Sequence, residues 1–175
     1  RLGDHVGVRV LRHAAVEQTP QPLATLVEEA VTAVSLALDA KAPRFVRRLT
    51  ADVERVPLPR GIYQVLTNLL RNAADATGPK GTVTVHAERR DERLHLTVTD
   101  DGPGIPANVL PRVFEPFFTT KDVGRGTGLG LPISARLVEK FGGVIRLECP
   151  PGGGTVASVN IPVQLPAERS MQEVL

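Results

Sequence analysis

The sequence has few aromatic residues, one cysteine and no long hydrophobic run. Its 175 residues include no Trp, one Tyr and five Phe, so the core must be built from Val, Leu, Ile and Ala. The single cysteine, Cys149, excludes an internal disulfide framework and favours a reducing compartment. No apolar run approaches the roughly 18 residues of a membrane helix, and no signal peptide is visible. We therefore expect a cytoplasmic location, although a longer protein containing this chain could still be membrane-anchored.

A large excess of charge of one sign is also missing. The chain has 21 Lys and Arg against 19 Asp and Glu, for a formal net charge of +2. Binding to nucleic acid through bulk charge is therefore not expected. The length suggests one compact domain with a short additional arm. Because the sequence begins with Arg1 rather than Met, we expect a piece of a longer protein.

Hydrophobic periodicity predicts helices that start near Leu23, Pro59 and Leu131, with a further short helix at residues 107–113. Alternating segments predict strands at residues 45–49, 82–88, 93–99, 144–149 and 155–162. This order predicts a two-layer α/β sandwich, in which one mixed sheet is covered on one face by three helices. The expected divisions are the end of an upstream helix and a linker (1–21), a domain (22–165) and a loose tail (166–175).

A stripe of carboxamides and one carboxylate follows the second predicted helix. Gln64, Asn68, Asn72 and Asp75 fall on an arc roughly 80° wide at helical spacing. Exposed helix faces usually carry better helix formers than Asn or Asp, so the stripe indicates side chains that are used. An Asn oxygen is a suitable ligand for Mg²⁺, which also binds substrate phosphates. An ordinary solvated helix face is the alternative.

The motif DDGPGI covers residues 100–105 and follows a predicted strand directly. Gly102 and Gly104 allow a tight turn and the close approach of a ligand to the backbone. The carboxylate of Asp100, at the strand end, can accept a hydrogen bond from an exocyclic amine. A plain Asp-Gly turn is the alternative.

Alternating glycines from Gly124 to Gly130 lead into the N-terminus of the third predicted helix. Backbone N–H groups and the helix dipole favour phosphate there. The loop is neither a Walker A motif nor a G-x-G-x-x-G fingerprint, so it indicates another kind of nucleotide fold. A flexible hinge is the alternative.

The segment before this loop, residues 112–121, contains three of the five Phe: Phe114, Phe117 and Phe118. Lys121 and Arg125 place cations near the glycines. This arrangement is typical of a mobile lid with a phosphate-sensing tip, and an ordinary loop held by a Phe cluster is the alternative.

Together and in this order, these segments resemble the catalytic and ATP-binding domain of sensor histidine kinases. The matching boxes, in the order N, G1, F, G2 and G3, are NLLRNAADA (68–76), DDGPGI (100–105), FEPFFTTK (114–121), GRGTGLGL (124–131) and GGGT (152–155). The resemblance covers residues 22–165, and the TTK segment is most similar to the nitrogen-regulation and oxygen-sensor type. It implies the Bergerat fold, with a mixed, mostly antiparallel sheet, and it implies ATP and Mg²⁺ as ligands.

The resemblance also implies roles for individual residues. Asn72 coordinates Mg²⁺, Asp100 binds the adenine amino group and Thr155 helps to hold the adenine side. The residues implied as catalytic are Asn68, Lys121 and Arg125, of which the two cations meet the γ-phosphate. The full set implied to bind nucleotide is Asn68, Asn72, Asp75, Asp100, Gly102, Gly104, Ile105, Lys121, Gly126, Thr127, Gly128, Leu129, Gly130, Leu131 and Thr155.

The phosphoacceptor histidine of such kinases is missing here. It begins a His-Glu or His-Asp motif, and none of His5, His13, His86 and His95 is followed by an acid. The implied partners are therefore an acceptor helix elsewhere in the kinase, which dimerises in the full-length protein, and a response regulator. The chain alone is expected to be monomeric and to bind ATP without phosphorylating itself.

Two other readings of the same fold stay open. One is a related enzyme, either an ATPase of the gyrase or chaperone kind or a serine kinase. The gyrase relatives carry a glutamate at the position of Asn68, and they lack the F box, which weighs against that group. The other is a non-catalytic module that only binds nucleotide or docks to a partner.

Overall fold

The computed structural model describes residues 19–121 and 126–164. The expected upstream helix end and the tail after residue 165 lie outside the described residues. The division at residues 22 and 165 therefore stays a prediction.

The structure contains one five-stranded sheet, which positions the site. Its strands are β2 (Arg44–Leu49), β4 (Thr82–Arg90), β5 (Arg93–Asp100), β6 (Val144–Glu148) and β7 (Thr155–Pro162). They are ordered β2-β4-β5-β7-β6. β2 runs parallel to β4, and every other pair in this sheet is antiparallel. The prediction of a mixed, mostly antiparallel sheet is confirmed.

Three helices pack together on the sheet: α1 (Leu23–Leu38), α2 (Gly61–Thr77) and α3 (Gly130–Lys140). β4 shows which face they cover, because Val83 and Val85 are buried while Thr84 and His86 are partly exposed. α2 lies in the middle and buries the apolar arc expected from the sequence: Ile62, Val65, Leu66, Leu69, Leu70 and Ala73. The two-layer sandwich is confirmed.

Residues next to its two ends determine where α2 begins and stops. Gly78 ends the helix with a positive φ of 70°, and its N–H donates to the carbonyl of Ala74. Glycine suits this helix end, because it adopts a positive φ without the steric cost of a Cβ. The helix begins at Gly61, two residues after Pro59, whose carbonyl accepts the N–H of Ile62 at 2.9 Å.

The prediction of a short helix at residues 107–113 is wrong. A single 3₁₀ turn, Leu110–Arg112, is present instead. Pro111 sits in the middle of the segment and has no N–H to continue a helical ladder, so the chain cannot extend this turn.

A two-stranded sheet was not expected from the sequence. Gln21–Pro22 (β1) pairs antiparallel with Pro57–Leu58 (β3). The Leu23 N–H also donates to the carbonyl of Val56 at 3.0 Å. These contacts fix the start of α1 next to the start of α2. Across residues 19–121 and 126–164, no helix is long and apolar enough to cross a bilayer.

Candidate nucleotide-binding site

A cleft of about 680 Å³ lies between α2, the loop after β5 and the start of α3. Its volume is within the usual range for small-molecule sites. It brings together most of the residues singled out in the sequence: Asn68, Asn72, Asp75, Asp100, Gly104, Ile105, Lys121, Gly126, Thr127, Gly128, Gly130, Leu131 and Thr155. Gly102 and Leu129 do not line the cleft, and Arg125 lies outside the described residues.

Asp100 ends β5 at the bottom of the cleft and is only 6% exposed. Burial raises the pKa of this carboxyl, while donation from the Gly102 N–H and from Thr155 opposes the rise. The Gly102 N–H lies 2.9 Å from Asp100 Oδ1, and Thr155 faces Asp100 across the β5–β7 pair. A carboxylate has acceptor sites beyond these donors. Asp100 is therefore a fixed, buried acceptor for a donor group in the cleft.

The glycines around Asp100 form the wall behind it. The Gly102 carbonyl accepts the Gly154 N–H at 2.7 Å. Gly154 has a φ of +81°, and a Cβ there would overlap the carbonyl oxygen of Asp100. A Cβ on Gly102 would lie 2.9 Å from Asp100 Oδ1 and from the Ala76 carbonyl oxygen. Gly102 thus acts from outside the cleft by holding the buried carboxylate in place.

The F-box segment and residues 126–130 of the glycine loop cross where both line the cleft. The Phe117 N–H donates to the Gly128 carbonyl at 3.0 Å. Both residues have positive φ, +66° and +64°. A Cβ on Gly128 would lie 2.5 Å from the carbonyl carbon of Phe117. Only glycine at position 128 permits this crossing.

Asn68 connects α2 to the N-terminus of α3. Its amide nitrogen donates to the Gly130 carbonyl and to the Ser134 hydroxyl, each at 3.1 Å. Ser134 is fully buried. Asn68 therefore fixes the first turn of α3 against the cleft, where free N–H groups face any bound anion.

Residues 58–165 match the family of histidine kinase-, DNA gyrase B- and HSP90-like ATPases. The chain belongs to this family. The solved catalytic domain of histidine kinase ThkA is 33% identical to this chain, with a TM-score of 0.73, and the match covers 83% of this chain and 95% of that one. The chain is thus an ATP-binding catalytic domain of the histidine kinase type, and the resemblance drawn from the boxes is confirmed.

Full-length relatives are longer than this domain. Sensor histidine kinase ZraS of Salmonella typhi is 38% identical over 139 residues, which are 79% of this chain and 28% of that protein. Sporulation kinase A of Bacillus subtilis is 40% identical over 101 residues, 58% of this chain and 16% of that protein. Full-length ShkA, solved with AMPPNP, is 26% identical with a TM-score of 0.72, covering 83% of this chain and 31% of that one. The chain therefore spans less than a third of each of these three proteins.

The side chain of Asn72, unlike that of Asn68, is available for a ligand. Asn72 lines the cleft one turn further along α2, and its side chain forms no hydrogen bond with any residue in the described ranges. Nowhere in those ranges do three or more His, Cys, Asp or Glu side chains form a group that could hold a metal ion. A single carboxamide oxygen nevertheless fits Mg²⁺, which usually keeps several waters and takes its other ligands from substrate phosphates.

The second aspartate of the DDGPGI motif has a structural role. Asp101 accepts the Thr82 N–H at 2.9 and 3.0 Å and is hydrogen-bonded by the Thr77 hydroxyl. These donors lower the pKa of Asp101, with the Thr77 hydroxyl contributing most. Asp101 thus ties the end of α2 to the start of β4, beside the cleft.

Sequence reasoning missed most of the apolar wall of the cleft. The wall is formed by Leu69, Ala73, Ala76, Val98, Ile105, Pro106, Val109, Val113, Leu131, Leu147 and Ala157. Apart from Ile105 and Leu131, none of these residues was among the candidate site residues. Strand periodicity identifies Val98 and Ala157 as inward-facing, but it cannot tell a core neighbour from a cleft neighbour. The wall supplies the flat apolar contact that a purine base requires.

Proposed function

We propose that this domain transfers the γ-phosphoryl group of ATP to a histidine on an acceptor helix elsewhere in the full-length protein. The phosphoryl group would then pass to a response regulator. The observation that carries the proposal is one cleft with a buried carboxylate at one end and a helix N-terminus beside two asparagines at the other. The two ends of the cleft match the two parts of ATP. Adenine is flat and apolar with an exocyclic amine, and the triphosphate is anionic.

The adenine would lie at the Asp100 end. The carboxylate accepts a hydrogen bond from the exocyclic amine, and Thr155 holds the carboxylate from the neighbouring strand. Val98, Ala157 and the remaining apolar wall enclose the ring. Guanine carries a carbonyl where adenine carries the amine, so the fixed acceptor disfavours guanine.

The phosphates would lie at the start of α3. This helix has 11 residues, and its dipole favours anions at its first turn. The N–H groups of Gly130 and Leu131 are available there, since Pro132 has no N–H and the Ile133 N–H donates to the Leu129 carbonyl. Gly126, Gly128 and Gly130 let the backbone approach, and Asn72 offers an oxygen ligand for Mg²⁺. The metal ion would neutralise charge on the phosphates when bound. Lys121 lines the same end and supplies a cation, and Arg125 is proposed to do so as well.

The side chain at position 68 separates kinase from ATPase chemistry. Asn68 uses its amide protons on Gly130 and Ser134, and a carboxamide cannot take a proton from water. An ATPase needs a positioned general base to activate water. This difference supports transfer to a protein acceptor over hydrolysis.

The acceptor is proposed to lie outside this chain. His86 and His95 are on β4 and β5, and neither lines the cleft. His5 and His13 lie outside the described residues. The proposal includes dimerisation through the missing helices, a monomeric isolated domain, and a cytoplasmic location for the domain. Membership of the nitrogen-regulation and oxygen-sensor type is proposed from the TTK segment alone.

The test is phosphorylation of the full-length protein with γ-labelled ATP and Mg²⁺. We expect a label that is lost in acid and kept in base, as a phosphoramidate is, and that disappears in Asn72→Ala. Gln64→Ala is the matched control, because Gln64 is an exposed carboxamide on the same helix that does not line the cleft. Acid-stable label would favour the serine kinases. Release of phosphate without label would favour an ATPase, and neither product would favour a non-catalytic module.

A further inference from the structure

An ion pair in the wall of the cleft joins α2 to the F-box segment. Lys121 Nζ lies 2.5 Å from Asp75 Oδ2, although the two residues are 46 positions apart in the chain. Both side chains line the cleft, and about a third of each is exposed. Asp75 follows Asn72 by three residues on α2, so the carboxylate and the free carboxamide share one helix face.

The lysine is held in this position by its neighbours. The crossing of Phe117 and Gly128 brings the segment that ends at Lys121 across the cleft toward α2. Gly126 then lies against the stem of the lysine, because a Cβ there would be 3.2 Å from Lys121 Cδ and 2.9 Å from Thr119 Oγ1. The ammonium group is therefore positioned by packing along its stem and by Asp75 at its tip.

A carboxylate and a phosphate compete for the same ammonium group. We propose that Asp75 lowers the preference of the site for a nucleoside triphosphate over a diphosphate, because it holds Lys121 until a terminal phosphate replaces the carboxylate. This inference rests on the proposed function, in which Lys121 meets the γ-phosphate. A diphosphate lacks that group and leaves the ion pair intact, whereas a triphosphate must break it.

The direction of the effect follows from this exchange. When a triphosphate binds, the Lys121–Asp75 pair breaks and a lysine–phosphate contact forms. When a diphosphate binds, the ion pair stays intact and no such contact forms. An ion pair with this much exposure contributes a factor of about 1.5 to 5 to an equilibrium constant. Removing the carboxylate should therefore tighten triphosphate binding by about that factor and raise the triphosphate-to-diphosphate affinity ratio.

The experiment is a calorimetric titration of the chain with ATP and with ADP, both in Mg²⁺, for wild type and Asp75→Asn. We expect the ATP affinity to rise about 1.5- to 5-fold, with a smaller change for ADP. In a Lys121→Ala background the same substitution should leave the ATP-to-ADP ratio unchanged. Asp91→Asn is the matched control: it is the same chemical change, at an exposed position on the β4–β5 turn away from the cleft.

Two results would overturn the inference. Weaker ATP binding in Asp75→Asn would identify Asp75 as a group that binds the nucleotide directly. An increase in the ratio that persists in the Lys121→Ala background would be a general charge effect. Absence of ATP binding by the wild-type chain would instead contradict the proposed function, so the two failures are distinguishable.

Discussion

Replacing Asp100 with Asn should separate nucleotide recognition from stability. The two side chains have nearly the same shape, and an Asn oxygen can still accept the Gly102 N–H at 2.9 Å. The remaining position then carries an NH₂ group where the wild type has an acceptor. That group would face the exocyclic amine of adenine, so a donor would meet a donor.

The loss in affinity can be sized from the hydrogen bond itself. A hydrogen bond to a charged group contributes about 1.5–3 kcal/mol, which corresponds to about 10- to 150-fold in Kd. Asp100 is 6% exposed, so water cannot easily replace the lost partner. We expect Asp100→Asn to weaken ATP binding by at least about tenfold.

Stability should change in the opposite direction. Burial raises the pKa of Asp100, so the ionised carboxylate destabilises the folded domain. This destabilisation is present above the raised pKa and disappears as the pH falls below the ordinary value of 3.8. At pH 7 the Asn variant should melt at the wild-type temperature or above it, and the difference should shrink toward acid pH.

The assay is a calorimetric ATP titration together with thermal unfolding at several pH values. Wild-type ATP affinity in a folded Asp100→Asn domain would refute the assignment of Asp100 to adenine. If Asp100→Asn instead melted below the wild type at pH 7, and the difference disappeared toward acid pH, the pKa of Asp100 could not be raised. That result would show that the hydrogen bonds from Gly102 and Thr155 to the carboxylate outweigh its burial.

Three further substitutions test other parts of the site. Asn68→Ala leaves the fully buried Ser134 hydroxyl without its partner. It should lower the free energy of unfolding, measured with urea, by about 1–3 kcal/mol. An unchanged urea midpoint would contradict the link between α2 and α3. Gly128→Ala places a Cβ 2.5 Å from Phe117; it should weaken ATP binding in a titration, and normal affinity would show that the crossing is dispensable. Asn72→Ala should reduce the gain in ATP affinity from Mg²⁺, while Gln64→Ala should not, and equal gains in both variants would remove Asn72 from the metal site.

Local chemistry made much of the fold predictable. The stripe on α2 follows from helical spacing along one segment, and the stop at Gly78 follows from a single glycine. The β4–β5 hairpin is encoded by alternation over neighbouring residues. The box motifs are short for the same reason, since each is one turn or loop that presents backbone or side chains to the nucleotide. Their order along the chain was sufficient to place Asp100 and Asn72 in one cleft.

The features that were missed depend on distant partners. The pairing of Gln21 with Leu58 joins a segment that was predicted to be a linker to the residues just before α2. The helix expected at residues 107–113 failed because Pro111 outweighed the local apolar spacing. The ion pair of Lys121 with Asp75 needs the crossing at Gly128, and no pattern within either segment encodes it.

Calorimetric titration of the chain with ATP, with and without Mg²⁺, shows directly whether the cleft is an ATP site. We expect saturable binding of one nucleotide per chain, altered by Mg²⁺, and much weaker binding of GTP. No binding at millimolar ATP, or equal binding of ATP and GTP, would contradict this expectation.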